Sequence, residues 1–282
     1  MVVLLALGSA LAYGLSDFVG GMLSRRTSAW AVAVVAQLSS ACCTCVLAGV
    51  FGGDPTPADL AWAALGGMGS GAGAGFLYRG FANGRMGVVA PVSAVGAAVV
   101  PVLTGAATGE RPSLVVWLGV LIALPAVWLV SSTDGGAGEA RSASGPLAAG
   151  LTDGVLAGLG FGLLFSALGQ VPSAAGWWPL AVCQTTSVVA VVVLAACLRA
   201  AWVPRGRTVR LALLAGPLGA SASGLFLLAT QHGFLTVAGV LSSLYPASTV
   251  LLAAVVLHEK VHRAQGVGLG LCALAVVLVA AG

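Results

Sequence analysis

The chain has 282 residues, of which 59% are hydrophobic and only 7% charged, with a mean hydropathy of +1.05 and a formal net charge of +4. A soluble protein carries about 25% charged residues, so this composition excludes a water-covered globular domain. The small positive balance calls for no nucleic-acid partner. The solvent is lipid, which helices of about 20 apolar residues can span.

The chain opens on MVVLLALGSALAYGLSDFVGGMLSRR, in which the basic residues follow the apolar run instead of preceding it. That order suits a first transmembrane helix and not a secretory leader. Apolar runs divided by charge, Pro or Gly predict ten spans, at 2–23, 30–51, 58–78, 86–107, 114–131, 146–168, 177–198, 208–230, 234–256 and 264–281. The one sizeable polar stretch, 132–145, reads as a flexible cytoplasmic linker between a first half (1–131) and a second half (146–282). Of the twelve Lys and Arg residues, all but Arg111 flank the loops after spans 1, 3, 5, 7 and 9. Those loops are therefore expected to be cytoplasmic, with both termini extracytoplasmic. The six cysteines show no CxxC spacing and read as small buried hydrophobes.

The halves repeat. A shift of 149 carries Ser93 onto Ser242, Glu110 onto Glu259, Gly84 onto Gly233 and Gly119 onto Gly268. A shift of 147 carries Trp30 onto Trp177, Gln37 onto Gln184 and Ser40 onto Ser187. Five spans is an odd number, so the halves must cross the membrane in opposite senses. The expected fold is an all-α polytopic membrane protein with ten transmembrane helices in two inverted five-helix repeats. Glu110, in TGERPS, and Glu259, in LHEKVH, then end spans on opposite faces and read as interfacial helix ends.

The two tails, ANGRMGVVAPVSAVGAAVVPVLTGAATGERPSLVVWLGVLIALPAVWLV and LTVAGVLSSLYPASTVLLAAVVLHEKVHRAQGVGLGLCALAVVLV, resemble the EamA repeat of the drug/metabolite transporter superfamily. AYGLSDF at 12–18 is similar to that family's opening Trp-Gly-Ser-Asn-Phe motif, with Tyr13 in place of Trp and Asp17 in place of Asn. The resemblance spans nearly the whole chain. It implies a ten-helix carrier with a central cavity that moves small metabolites or drugs, often outward, and it names no substrate.

Two acidic residues, Asp17 and Asp153, lie inside spans. Asp17 is eight residues before Arg25, about 12 Å along the helix. A carboxyl at that depth is expected to face a cavity or a partner. Each could hold a cationic substrate group or a coupling proton. Gln37 and Gln184 occupy matching places and could bind substrate or join helices. Tyr13, Tyr245 and Ser242 complete the candidate binding wall. Pro91 and Pro101 are expected to break helix 4, and Pro246 to kink helix 9, as hinges. In GGMGSGAGAG, Gly67, Gly71 and Gly75 share one helix face and Gly69 and Gly73 the next, a pattern for close helix packing.

HEKVH at 258–262 matches H-E-x-x-H literally. Lys260 inside it, the lack of a third ligand and its interfacial setting argue against zinc, and no metal or cofactor is expected. The reading is a secondary transporter of the cytoplasmic membrane, not an enzyme. Its partners are the lipid bilayer, a small-molecule substrate and, as candidate coupling ion, the proton, and it acts by default as a monomer, with a dimer open. An intramembrane metalloprotease through HEKVH and a non-transporting scaffold are the alternatives.

Overall fold

A computed structural model describes residues 1–83, 86–131, 146–248, 251 and 262–281. Among these residues all regular structure is helical. The helices are α1 (Val2–Ser24), α2 (Ala29–Phe51), α3 (Pro57–Ala82), α4 (Met86–Ala107), α5 (Leu114–Ser131), α6 (Pro146–Leu168), α7 (Trp178–Cys197), α8 (Ala215–Thr230), α9 (Leu235–Ser242) and α10 (Arg263–Ala281). A short helical turn and a 3-10 turn, Arg207–Arg210 and Leu211–Leu214, lead into α8. Among the described residues seven helices are long and apolar enough to cross a membrane: α1, α2, α4, α6, α7, α10, and α8 with its lead-in. The expected spans 3, 5 and 9 correspond to α3, which is rich in glycine, and to shorter apolar helices at 114–130 and 235–248. The linker at 132–145 and the residues His258, Glu259 and Lys260 lie outside the described residues.

Local sequence explains the helix starts. Thr56 and Asp59 cap α3 reciprocally: the Asp59 carboxylate accepts from the Thr56 backbone N–H at 2.8 Å, and the Thr56 hydroxyl accepts from the Asp59 N–H at 3.3 Å. Pro57 fills the first helical position, where no N–H is needed.

Packing runs mainly between the halves of the sequence. The α3 glycines let this helix lie directly against two others. A Cβ on Gly67 or Gly71 would strike the carbonyls of Cys183 or Ser187 on α7. A Cβ on Gly69 would meet the Gly160 carbonyl on α6, and one on Gly73 the Phe161 ring. Gly75, expected on the face of Gly67 and Gly71, instead receives the ring of Trp30. Along α4 and α6, Gly96 meets Gly158 and Val100 meets Gly162. Antiparallel pairs join α1 to α8, where Ser9 donates to the Ala222 carbonyl (2.9 Å) and Ser16 to that of Ala215 (3.1 Å). They also join α5 to α10, through Gly119 against Val279 and Gly268 against Leu129.

The prolines behave differently from expectation. α4 runs through both Pro91 and Pro101 without a break. Neighbouring helices hold it: Pro101 packs on Gly239 of α9, and its other side on α6. In α9 the helix stops at Ser242, turns at 243–244 and resumes before Pro246, so the interruption precedes that proline.

Glu110 acquires a definite task. Its carboxylate accepts the backbone N–H of Leu235, the N–H of Thr236 at 2.9 Å and the Thr236 hydroxyl at 2.6 Å. A residue just after α4 thus caps the N-terminus of α9, where orphan N–H groups and the helix dipole favour an anion. Gly105 leaves room for this contact, since a Cβ there would meet both Glu110 and Thr236. Glu110→Ala should destabilise the protein by about 1–3 kcal/mol in detergent unfolding titrations, with Glu110→Gln recovering part of the loss. An unchanged midpoint in both variants would contradict this role.

Candidate functional site

α1, α2 and α3 from the first half meet α6, α7 and α8 from the second around a cavity of about 40 Å³. Its wall includes Tyr13, Asp17, Gln37 and Gln184, four of the residues singled out from sequence. It also includes Ser16, Ser40, Ser70, Tyr78, Phe161 and Ser223, which sequence reasoning did not select. The space holds about three water-sized spheres, so a metabolite would enter only if the helices part.

Asp17 is 8% exposed and lines this space. No hydrogen bond or ion pair to its carboxyl occurs among the described residues. Around it the polar groups are tied to one another. The Gln37 amide N–H donates to Ser70 (3.0 Å), and that of Gln184 to Ser40 (2.8 Å) and Ser223 (3.4 Å). The Tyr13 and Ser223 hydroxyls share a hydrogen bond of 2.8 Å. Both glutamines therefore join helices and face the cavity at once. The Gln184 carbonyl oxygen is buried without a hydrogen-bond partner.

The two ends of the cavity differ. Toward the Arg25 end of α1, the Tyr78 ring packs on Gly20, so tightly that a Cβ there would overlap it. Toward the Val2 end, Phe165 stacks on Phe226 at 4.4 Å and meets Tyr13 edge-on at 5.7 Å.

Three expected wall residues lie elsewhere. Tyr245 shares a hydrogen bond with Ser93 of α4 (2.8 Å), and Ser242 donates to the Ala6 carbonyl (3.4 Å). Asp153 is 2% exposed and is paired with Arg79, whose Nε donates to its carboxylate at 2.9 Å. The Arg79 guanidinium also lies over the Phe76 ring, 4.7 Å from its centre. This pair ties α3 to α6 at the same end as the Tyr78 contact. Ser40 could have been found from its match to Ser187. Tyr78 and Arg79 gave no signal beyond the end of a span, because which charge meets which depends on the packing of two halves. Of HEKVH only His262 is described, and its backbone N–H donates to the Gln265 side chain at 3.0 Å.

The model of the EamA-like transporter family matches residues 1–132. A solved structure, "Crystal structure of protein", shares the fold over 96% of this chain and 94% of its own, with a TM-score of 0.71 at 16% identity. No curated protein sequence matches the chain.

Arg79→Gln should destabilise the protein by about 2 kcal/mol by stranding a buried carboxylate, and Asp153→Asn in that background should recover part of it. Additive losses in a double-mutant unfolding cycle would show that the pair contributes no coupling.

Proposed function

We propose that the chain, whose residues 1–132 match the model of the EamA-like transporter family, is a secondary transporter exporting a small metabolite or drug across the cytoplasmic membrane. It spans the membrane ten times as two inverted five-helix repeats, with both termini outside. The observation that carries this reading is the cavity itself: three helices of each half line it around a buried carboxyl that has no partner among the described residues. The match to a transporter family points away from an enzyme. Eleven of the twelve basic residues lying on one expected face supports the orientation.

Transport proceeds by alternating access, one half rocking against the other around the site. The small cavity supports this, because a space of about 40 Å³ must widen to admit a metabolite. At the cytoplasmic end the parting contacts are Tyr78 on Gly20 and Arg79 with Asp153. At the other end they are the aromatic cluster of Tyr13, Phe165 and Phe226. Pro91 and Pro101 in α4 and the interrupted stretch before Pro246 supply bending points, since each proline frees a carbonyl one turn earlier. Asp17 takes a proton from outside and releases it inside in exchange for substrate. One chain encloses the cavity, which supports a monomer as the transporting unit.

The test uses everted vesicles with an acid interior, a pH-sensitive dye, and pools of amino acids, purine metabolites and cationic drugs. Dye recovery is expected with one pool and should be lost in Asp17→Asn. Substrate flux in Asp17→Asn with an unchanged pH profile would rule out proton carriage by this residue.

A further inference from the structure

We infer that the cavity is built for a small protonated amine and against anions and zwitterions. This rests on the reading of the cavity as the transport site. Its lining holds one charged residue, Asp17, and no Lys, Arg or His. Arg79, one residue beyond Tyr78, is held by Asp153 and turned away from the lining. A carboxyl at such depth needs a proton or a counter-charge, and the surrounding protein supplies no counter-charge to Asp17 among the described residues. In an exchange cycle the proton and a cationic ligand take turns at it.

The neutral groups agree with this choice. A bound anion would need a positive partner, and the lining offers only neutral donors, the amides of Gln37 and Gln184 and the serine and tyrosine hydroxyls, beside the Asp17 carboxylate that repels it. The one charged acceptor in the lining is the Asp17 carboxyl. A zwitterion would satisfy Asp17 but bring its own carboxylate close to it, with no Lys, Arg or His in the lining to offset the repulsion. The Tyr13, Tyr78 and Phe161 rings in the wall favour an organic cation over a hard metal ion, through their negative faces. A cavity of about 40 Å³ fits an ion near the size of ethylammonium without rearrangement.

The experiment measures binding of radiolabelled ethylammonium, acetate and glycine to the purified full-length protein in liposomes, followed by counterflow of each. Ethylammonium should bind saturably, at least tenfold more weakly in Asp17→Asn, and Asp17→Glu should restore most of the affinity. Acetate and glycine should neither bind nor compete. Glycine or acetate binding, ethylammonium binding that ignores Asp17→Asn, displacement by sodium alone, or no saturable ethylammonium binding would each overturn the inference. Glycine counterflow without ethylammonium binding would leave the transport reading standing and remove the amine site. Ethylammonium binding without flux of any probe would do the reverse.

Discussion

The structure depends on how closely α3 can approach α6 and α7. In hydrocarbon no hydrophobic force pulls helices together, so contact area and interhelical hydrogen bonds decide. Gly67, Gly69, Gly71 and Gly73 let the α3 backbone reach carbonyls and rings of the other half. One added methyl at Gly67 or Gly71 would push against rigid backbone, which cannot give way as a side-chain tip can. The same approach brings Ser70 and Tyr78 into the wall of the cavity beside Asp17. The glycines that keep α3 from being strongly apolar are thus the residues that join the halves.

Polar side chains complete this seam. Pro217 cannot donate to the Leu213 carbonyl, and Ser39 of α2 donates to it instead at 2.9 Å. Ser9, Ser16 and Gln184 likewise reach across between the halves. Against this seam of hydrogen-bonded groups, the Asp17 carboxyl stands out, since it has no partner among the described residues. A carboxyl needed only for packing would have been given a donor, as Asp153 is by Arg79 and Glu110 by the N-terminus of α9.

Much of this was legible in the sequence. Charge asymmetry and apolar runs anticipated the helices, and depth singled out Asp17. The matched tryptophans have a physical origin: Trp30 lies on Gly75 and Trp177 on Gly224, so each half seats an aromatic ring on a glycine of its next helix. The shifts are 147 (177 − 30) and 149 (224 − 75), the two registers already seen in the sequence. What sequence could not give was pairing across the halves. Asp153 and Arg79 are 74 residues apart, and Glu110 and Thr236 are 126 apart. No local rule joins such residues. The prolines misled for a related reason, since surrounding helices hold α4 continuous through positions that would break an isolated helix.

The central claim is that the space around Asp17 opens to each side of the membrane in turn. It is tested most directly in a chain whose six cysteines are replaced by alanine and which carries Ala74→Cys, a lining position that leaves Asp17 in place. A small, membrane-impermeant cationic thiol reagent is applied to right-side-out and to everted vesicles. Alternating access predicts labelling from both faces, slowed when the conformation is locked by a bound substrate. Labelling from one face only, or from neither, would contradict it.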